Sequence, residues 1–554
     1  MKKILYTLFV FTVLVACKKE SNTQQPPTTT PNALQVTKAE VDGMLYVANM
    51  SRVSLNPVIK LQFSAKLATA TVQQAIQFTN AQNVAVPFTF SLLNGDSVVQ
   101  ITPSSTLAEL IQYTIQIKNT LKSTQEAILA SPFIVSFSTG YDMSDKFPRI
   151  ADTALLTLVQ KQTFGYFWDF AHPVSGMARE RNSSGDVVTT GGTGFGLMTL
   201  PVAVERKFIT RSMALERATT IVNFLSQKAI RYHGAFAHWL HGTTGATVPF
   251  SANDNGADLV ETSLLMQGLL TIRQYFNQPL PAEQALVNQI NQLWQGVEWN
   301  WFTQNNQQVL YWHWSPDKNW AMNLPIKGWN ESLITYVLAA SSTTNTIATS
   351  VYKQGWAQNG LMKNGNNFYG YTLPLGPSGG GPLFFAHYSF LGIHPKDLVD
   401  EFANYEQQNI RHTQINWAYC KANPKGFPYY SDSCWGLTAS DIPGGYTASS
   451  PTNDVGVIAP TAALASMPYT PEQSMQALRF FYYRLGSKLW GNYGFYDAFS
   501  LKDNWFSNSY LAIDQGPIVI MIENYRSGLL WQLFMSCPEV KNGLKKLGFS
   551  SPYI

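Results

Sequence analysis

The sequence SANDNGADLVETSLLMQGLL, residues 251–270, combines two features that need a common explanation. Its second half is apolar on nearly every side, which indicates a helix buried in the protein interior. Its first half carries Asp254, Asp258 and Glu261, and the spacing i, i+4, i+7 predicts that all three carboxylates lie on one stripe of that helix. Because a buried carboxylate is costly without a partner or a role, this stripe marks a candidate functional site.

Five further segments repeat this composition, in which a Gly-, Asn- or Asp-rich stretch leads into an unusually apolar helix. The six apolar segments are 191–208, 253–270, 327–340, 379–393, 453–467 and 513–534. Six amphipathic segments alternate with them, at 151–170, 211–230, 282–297, 344–357, 395–409 and 471–490. Because an all-round apolar helix lies inside and an amphipathic one outside, the alternation predicts a mainly α fold in which an inner ring is wrapped by an outer ring. This arrangement is an (α/α)6 barrel.

The polar lead-in segments would bring the N-termini of the six inner helices together at one end of the barrel, where we expect the catalytic site. An N-cap or first-turn acid is the alternative for any single carboxylate there, and it stays open for Asp254 and Asp454. This alternative fits Glu261 and Glu331 less well. Glu261 lies inside its helix, and Glu331 stands between Trp329-Asn330 and an apolar run. The other candidate acids at this end are Asp432, Asp441 and Asp514.

The composition favours a neutral, hydroxyl-rich ligand. Aromatic and charged residues each make up 13% of the chain and the net charge is +4, which gives no electrostatic footprint for nucleic acid. Cleavage of a glycosidic bond needs a protonated carboxyl as acid and an ionised one as base or nucleophile, and apolar surroundings keep the donor protonated. Tryptophans in the lead-in segments are sugar platforms or core residues: Trp239, Trp312, Trp314, Trp320, Trp329 and Trp435.

Histidine and arginine clusters allow more than one reading. His233, His238 and His241 have no acid at ligand spacing among them, so we favour loop packing and sugar hydrogen bonds over a metal. The run Arg179-Glu180-Arg181 either clamps substrate hydroxyls or forms a surface ion-pair cluster. With no HExxH, CxxC or EF-hand pattern, we expect no metal and no cofactor.

The cysteines leave one question open. Three follow the N-terminal segment, at Cys420, Cys434 and Cys537, and whether Cys420 and Cys434 form a disulfide is not fixed by their spacing.

The N-terminal part of the chain has a different character. Residues 1–17 have the order of a secretory signal, with Lys2-Lys3, an apolar run and a lipobox-like end at Cys17, which predicts lipidation of that cysteine. Residues 18–32 read as a flexible tether. From 33 to 141 the hydrophobic pattern has period two, which predicts a β-sandwich that resembles bacterial Ig-like modules. We interpret it as a spacer or docking module, with carbohydrate binding as an alternative.

Residues 148–550 resemble the glucoamylase-like domain of glycoside hydrolase family 144. The motifs that carry the resemblance are YFWDFAHPVSGMARER from Tyr166, NDNGADLVETSLLMQGLL from Asn253, GWNESLITYVLAASS from Gly328, YSDSCWGLTASD from Tyr430 and AIDQGPIVIMIENYRSGLLW from Ala512.

The resemblance implies an (α/α)6 barrel that hydrolyses β-1,2-glucan with inversion at the anomeric carbon, by endo action or by exo release of sophorose. The acids implicated in the family correspond to Asp254, Asp258, Glu261 and Glu331. By looser analogy with a related family of the same fold, Glu331 would be the general acid and Asp514 the general base. The remaining acids would bind sugar or tune the acid. Further expected substrate-binding residues are Arg179, Trp239, Trp329, Trp435 and Asp432.

Endo-β-1,2-glucanase activity on β-1,2-glucan or sophoro-oligosaccharides is therefore the first hypothesis, and an exo-acting sophorohydrolase is its alternative. A polysaccharide lyase on the same barrel is less favoured, because the predicted mouth is rich in acids rather than cations. A non-catalytic glycan-binding lipoprotein is the third hypothesis. We expect a monomer that is attached to a bacterial membrane only through the lipid on Cys17, facing either the periplasm or the cell surface.

Overall fold

The structure is a computed structural model that describes residues 33–554. The predicted signal segment with Cys17 and the predicted tether lie outside the described residues. The chain divides into two compact units, and the division falls after Asp142. Among residues 33–554, no helix has both the length and the hydropathy that crossing a membrane requires.

The first unit consists of two β-sheets with one short helix. One sheet has the strand order β2-β1-β4-β7-β6 and is antiparallel, and the other has the order β3-β9-β8-β5, with β3 and β9 parallel. Side chains from both sheets, such as Leu61, Ile101 and Phe137, form one hydrophobic core. The elements are β1 Val36–Val41, β2 Met44–Leu45, β3 Met50–Val53, β4 Ile59–Phe63, α1 Thr69–Ala75, β5 Ile76–Asn80, β6 Phe88–Leu93, β7 Val98–Pro103, β8 Gln112–Ile117 and β9 Phe133–Thr139.

Helices are the main regular elements of the second unit, and largely buried helices alternate along the chain with more exposed ones. The more exposed helices are α2 Asp152–Trp168, α4 Arg211–Gln227, α6 Pro281–Gln295, α8 Thr349–Val351, α10 Tyr405–Ala422 and α12 Pro471–Arg479. The buried ones are α3 Thr190–Glu205, α5 Leu259–Tyr275, α7 Leu333–Ser341, α9 Phe384–His387, α11 Pro460–Leu464 and α14 Ala512–Arg526. The remaining helices are α13 Gly486–Leu489, α15 Leu529–Met535 and α16 Pro538–Leu547.

Glycines bring the buried helices α3 and α5 into backbone contact. A Cβ added to Gly194 would lie 2.2 Å from the Leu264 carbonyl oxygen, and one added to Gly268 would lie 2.1 Å from the Gly194 carbonyl oxygen. Glycine is unfavourable inside a helix by about 1 kcal/mol relative to alanine, so its presence here reflects the close approach. This contact fixes the positions of the N-termini of both helices.

Several predicted helices differ in extent from those observed. Helix α5 begins at Leu259, so Asp254 precedes the helix and Asp258 is its N-cap, and the predicted three-acid stripe on one helix is wrong. The amphipathic helix predicted over 395–409 begins only at Tyr405, because residues 395–404 form turns closed by a bridge between Val399 and Asn404.

Two buried helices, α9 and α11, are much shorter than their predicted segments. Three successive glycines with positive φ, Gly379 to Gly381, delay α9, which continues into a 3-10 turn over Tyr388–Leu391.

Cys420, Cys434 and Cys537 are buried free thiols, so the disulfide that the sequence left open is absent from the described residues.

Candidate active site

A cavity of about 380 Å³ lies at the N-terminal ends of the buried helices α3, α5 and α14. Its wall combines carboxylates, an arginine and aromatic rings, which is the composition of a site for a polar, uncharged ligand with acid–base chemistry. The residues that line it are Glu180, Arg181, Thr189, His238, Trp239, Phe250, Glu261, Phe384, Tyr388, Ala439, Tyr446, Leu511 and Ile513.

Glu261, in the first turn of α5, is held by the N-terminus of α3. The backbone N–H of Gly191 donates to its Oε2 at 2.7 Å, and Nε2 of His238 lies 3.9 Å from its Oε1. Burial raises the pKa of the Glu261 carboxyl, and the neighbouring His238 opposes that rise. Glu261 therefore presents to the cavity a carboxyl whose ionisation depends on an imidazole.

Two histidines lie within ion-pair distance of the acids of the 251–270 segment. His238 Nδ1 lies 3.0 Å from Asp258 Oδ2, and His313 Nδ1 lies 3.1 Å from Asp254 Oδ2 and 3.7 Å from Asp258 Oδ2. Burial disfavours charge on His238, but Glu261 and Asp258 outweigh it and raise its pKa to about 9. Burial likewise opposes ionisation of Asp258, yet His313 and His238 lower its pKa. The buried acids are thus stabilised by two imidazole partners.

Asp258 has a second role as the N-cap of α5, because its Oδ1 accepts a hydrogen bond from the Glu261 N–H at 2.9 Å. The N-cap alternative and the functional alternative for this acid are therefore compatible.

Glu331 lies in the turn just before α7 and is partly buried. The hydroxyl of Ser389 fixes this turn by donating to the Glu331 carbonyl oxygen and accepting from the Ile334 N–H at 3.0 Å. Burial raises the pKa of the Glu331 carboxyl to about 7, and the charges of Asp258 and Glu261 add to the rise. A carboxyl with this pKa is protonated in a large fraction of molecules near neutral pH, as a proton donor requires.

Asp514, in the first turn of α14, forms a buried carboxyl pair with Asp497. Burial raises the pKa of Asp497 to about 7, and burial together with the Asp497 charge raises that of Asp514 well above its usual range. Because burial and the charge of Asp497 both oppose ionisation of Asp514, the two carboxyls do not ionise together. Asp497 Oδ2 also accepts from the Asp441 N–H at 2.7 Å, and Arg181 Nη1 lies 3.2 Å from Asp441 Oδ1.

Tyr388 links the two groups of acids. Its ring lines the cavity, and burial raises its pKa well above the usual range. Asp514, Glu331 and Glu261 are near enough to raise that pKa further. Glu261 lines the cavity together with Tyr388, whereas Glu331 and Asp514 are not among the lining residues and lie behind it, near the Tyr388 phenol.

The other predicted site residues occupy different places. Trp239 lines the cavity. Trp329 and Trp435 are buried in the core, where Trp329 packs near Phe390 and Tyr405. Arg179 and Asp432 do not line the cavity. Arg179 donates to the carbonyls of Gly185 and Phe170. Asp432 is exposed and accepts a hydrogen bond from Ser433 Oγ.

Four residues of the site escaped prediction as functional residues: His313, Tyr388, Tyr446 and Asp497. His313 reaches Asp258 because the strand His313–Trp314 pairs with Ala257–Asp258, a contact between distant segments. Its signal in the sequence was its position between Trp312 and Trp314. Arg181 belongs to the arginine cluster that the sequence analysis noted, and it is this arginine, rather than Arg179, that faces the cavity.

Among the described residues, His238, Asp254 and Asp258 have ligand atoms within 4.8 Å of one another, as a metal site would require. His238 is hydrogen-bonded to Asp258, and Asp254 forms an ion pair with His313, so these groups already have oppositely charged partners within the protein. The absence of a metal requirement stays a prediction.

Comparison with known proteins identifies two domains in the chain. Residues 323–538 match the family described as "Putative glucoamylase", and residues 35–139 match the bacterial Ig-like domain. A curated relative from Parabacteroides distasonis, an exo β-1,2-glucooligosaccharide sophorohydrolase acting at the non-reducing end, is 47% identical over 432 residues. That alignment covers 74% of this chain and 59% of the relative, so the chain spans less than two thirds of that protein.

Two solved structures are also similar. The endo-β-1,2-glucanase from Chitinophaga pinensis, solved with sophorotriose and glucose, is 53% identical with a TM-score of 0.72, covering 73% of this chain and all of that one. A β-1,2-glucanase from Parabacteroides distasonis is 38% identical with a TM-score of 0.70, covering 93% of this chain and 73% of that one. With the site geometry, these matches confirm the predicted family: the chain belongs to the glucoamylase-like family of glycoside hydrolase family 144 and carries an N-terminal bacterial Ig-like domain.

Proposed function

We propose that the protein hydrolyses β-1,2-glucan with inversion at the anomeric carbon and acts as an endo-β-1,2-glucanase. The observation that carries the proposal is Glu331, a partly buried carboxyl with a pKa of about 7 beside a cavity that contains further carboxyls. Its support from relatives is the similarity to the Chitinophaga pinensis endo-β-1,2-glucanase.

In the proposed reaction Glu331 donates its proton to the glycosidic oxygen as the bond to the anomeric carbon breaks. A water molecule attacks that carbon from the opposite face and gives a proton to the Asp514–Asp497 pair. The pair can accept it because, when it holds one proton, it still carries one negative charge. Glu331 then regains a proton from solvent, and the Asp514–Asp497 pair releases to solvent the proton that it took from the water. Asp254, Asp258 and Glu261 would bind sugar hydroxyls or keep the pKa of Glu331 high, and Arg181 and Trp239 would contact the sugar.

We further propose that the catalytic unit is an (α/α)6 barrel. The six buried helices and six more exposed ones alternate along the chain, and α3 packs against both α5 and α14, as neighbours in an inner ring would. The location of the cavity at helix N-termini supports the same arrangement.

Anchoring and assembly complete the proposal. The order of residues 1–17 supports a lipoprotein attached to a bacterial membrane through Cys17, with the two folded units projecting from it as a monomer.

Exo release of sophorose is the second candidate, because the curated relative from Parabacteroides distasonis is named for that activity. Incubation of the purified protein with linear β-1,2-glucan, with analysis of product lengths over time, distinguishes the two. Endo action gives oligosaccharides of mixed length, and exo action gives sophorose alone. Nuclear magnetic resonance of the fresh products should show the α-anomer first. Absence of new reducing ends would contradict both candidates, and unsaturated products would indicate a lyase.

A further inference from the structure

A second groove, of about 460 Å³, adjoins the catalytic cavity. It is bordered by Arg181, Asp441, the turn Gly444–Gly445, Trp505 and Asn508. Arg181 lines both the cavity and the groove, so the two spaces are neighbours across this side chain. The cavity holds the reacting bond in the proposed function, and the groove is large enough to extend the space available to a bound chain.

A β-hairpin borders both the groove and the cavity. It consists of the strands Ala439–Ile442 and Gly445–Ala448, in which Asp441 pairs with Tyr446. Tyr446 lines the cavity, whereas Asp441 and the turn line the groove. The hairpin is tied down at Asp441, which accepts hydrogen bonds from Arg181 and Ser509 and donates its N–H to Asp497. The hairpin is therefore held in place in part by Asp497, one member of the carboxyl pair of the active site.

The groove suits an uncharged sugar rather than an anion. Arg181 and Asp441 are the charged residues among those that line it, and they pair at 3.2 Å, so their charges cancel locally. Trp505 offers a half-buried indole to the groove. The exposed side chain of Asn508 and the exposed backbone of Gly444–Gly445 add hydrogen-bonding groups. An aromatic face beside hydrogen-bonding groups is how proteins hold sugar rings.

We propose that this groove binds glucosyl units of a β-1,2-glucan chain that extends beyond the catalytic cavity, with Trp505 as its stacking platform. The inference rests on the proposed function and deepens it, because a chain that leaves the cavity through an open groove is cleaved internally. Trp505 thereby determines the preference for long substrates over short ones.

The test compares Trp505→Ala with the wild-type protein on two substrates, linear β-1,2-glucan and the shortest β-1,2-gluco-oligosaccharide that the wild type cleaves. We expect KM for the long glucan to rise about tenfold, while kcat/KM for the shortest substrate stays within about twofold. Trp505→Phe, which keeps an aromatic ring, should restore most of the loss. The matched control is Trp417→Ala, because Trp417 is a half-buried tryptophan on α10 whose indole N–H donates to the Asp432 carbonyl, and KM should not change.

Two outcomes would overturn the inference, and neither resembles failure of the proposed function. One is an unchanged KM of Trp505→Ala for the long glucan. The other is an equal loss on both substrates in Trp505→Ala and Trp505→Phe, which would indicate a structural role for the ring. Failure of the proposed function would instead appear in the wild-type protein, which would cleave neither substrate, release sophorose alone or give unsaturated products.

Discussion

In the proposed reaction, the protonation of Glu331 near neutral pH controls the fraction of molecules that can donate a proton to the leaving group. Its pKa of about 7 follows from burial and from the carboxylates around it, so a change in any of these neighbours changes the working pH range. The pH dependence of the reaction is therefore the most direct probe of this residue.

The first prediction concerns the alkaline side of that profile. Because the acid must be protonated, kcat/KM should fall as pH rises through about 7, by about tenfold for each further pH unit. Glu331→Gln should lower kcat by about 10²- to 10⁴-fold, since an amide cannot donate the proton. Initial rates on β-1,2-glucan between pH 4 and 9 test both statements. Full activity in Glu331→Gln would remove it as the acid.

The second prediction concerns His238, whose imidazole lies 3.0 Å from Asp258 and 3.9 Å from Glu261. Its positive charge opposes the effect of burial on Glu261, so His238→Asn should raise the pKa of the Glu261 carboxyl. Because the charge of Glu261 helps to raise the pKa of Glu331, a less ionised Glu261 should lower the pKa of Glu331 and move the alkaline limb of the pH–rate profile to lower pH. The control is His241→Asn, because the His241 side chain is 40% exposed and its nearest carboxylate partner, Asp186, is 3.9 Å away. Equal profiles for the two variants would contradict a tuning role for His238.

At the scale of single elements, the contact between α3 and α5 determines the geometry of the site. The N–H of Gly191 in α3 reaches Glu261 in α5 because Gly194 and Gly268 let the two backbones touch. A side chain at either glycine would separate the helices and lengthen that hydrogen bond.

Gly268→Ala provides the third prediction. In an unconstrained helix this change would stabilise the protein by about 0.4–1 kcal/mol. Here the new Cβ would meet backbone atoms of Gly194, so we expect destabilisation of about 1–3 kcal/mol and reduced kcat. Thermal and chemical unfolding give the sign directly. A more stable variant with normal activity would show that the helices can move apart without cost.

The elements also show how far the sequence could predict this structure. The helices α3, α5, α7 and α14 were visible because they are apolar all round, a pattern that depends only on local sequence. Helices α9 and α11 were overestimated, because the apolar composition of a segment does not show where turns interrupt it. His313 could not be placed, since its proximity to Asp258 comes from strand pairing between distant segments. Trp435 was assigned to the cleft on composition alone, although it is fully buried in the core.

At the scale of the whole molecule, the two units differ in composition and in relatives. The match to the Chitinophaga pinensis enzyme uses 73% of this chain and covers all of that enzyme. The unmatched share of this chain is large enough to include the first unit. The fourth prediction is that residues 143–554 alone cleave short β-1,2-gluco-oligosaccharides with unchanged kcat/KM. If the activity of this fragment falls only on insoluble or surface-bound glucan, the Ig-like unit has a binding role. If the activity on short substrates also falls, the second unit does not act independently of the first.

The carboxyls Glu331, Asp497 and Asp514 also couple the stability of the fold to pH. The pKa values of Glu331, Asp497 and Asp514 are raised above those of the unfolded chain, so the folded protein binds more protons than the unfolded one between about pH 4 and 7. Their contribution to stability is complete below that range and is lost as pH rises through it.

The buried His387 acts in the opposite direction. Its pKa is lowered to about 3 by burial, so its contribution is present above about pH 6.5 and is lost as pH falls. The fifth prediction is that Glu331→Gln unfolds at a higher temperature than the wild type at pH 8, with a smaller difference at pH 4.5. Glu331, which the proposed reaction needs as its acid, would then lower the stability of the fold at neutral and alkaline pH.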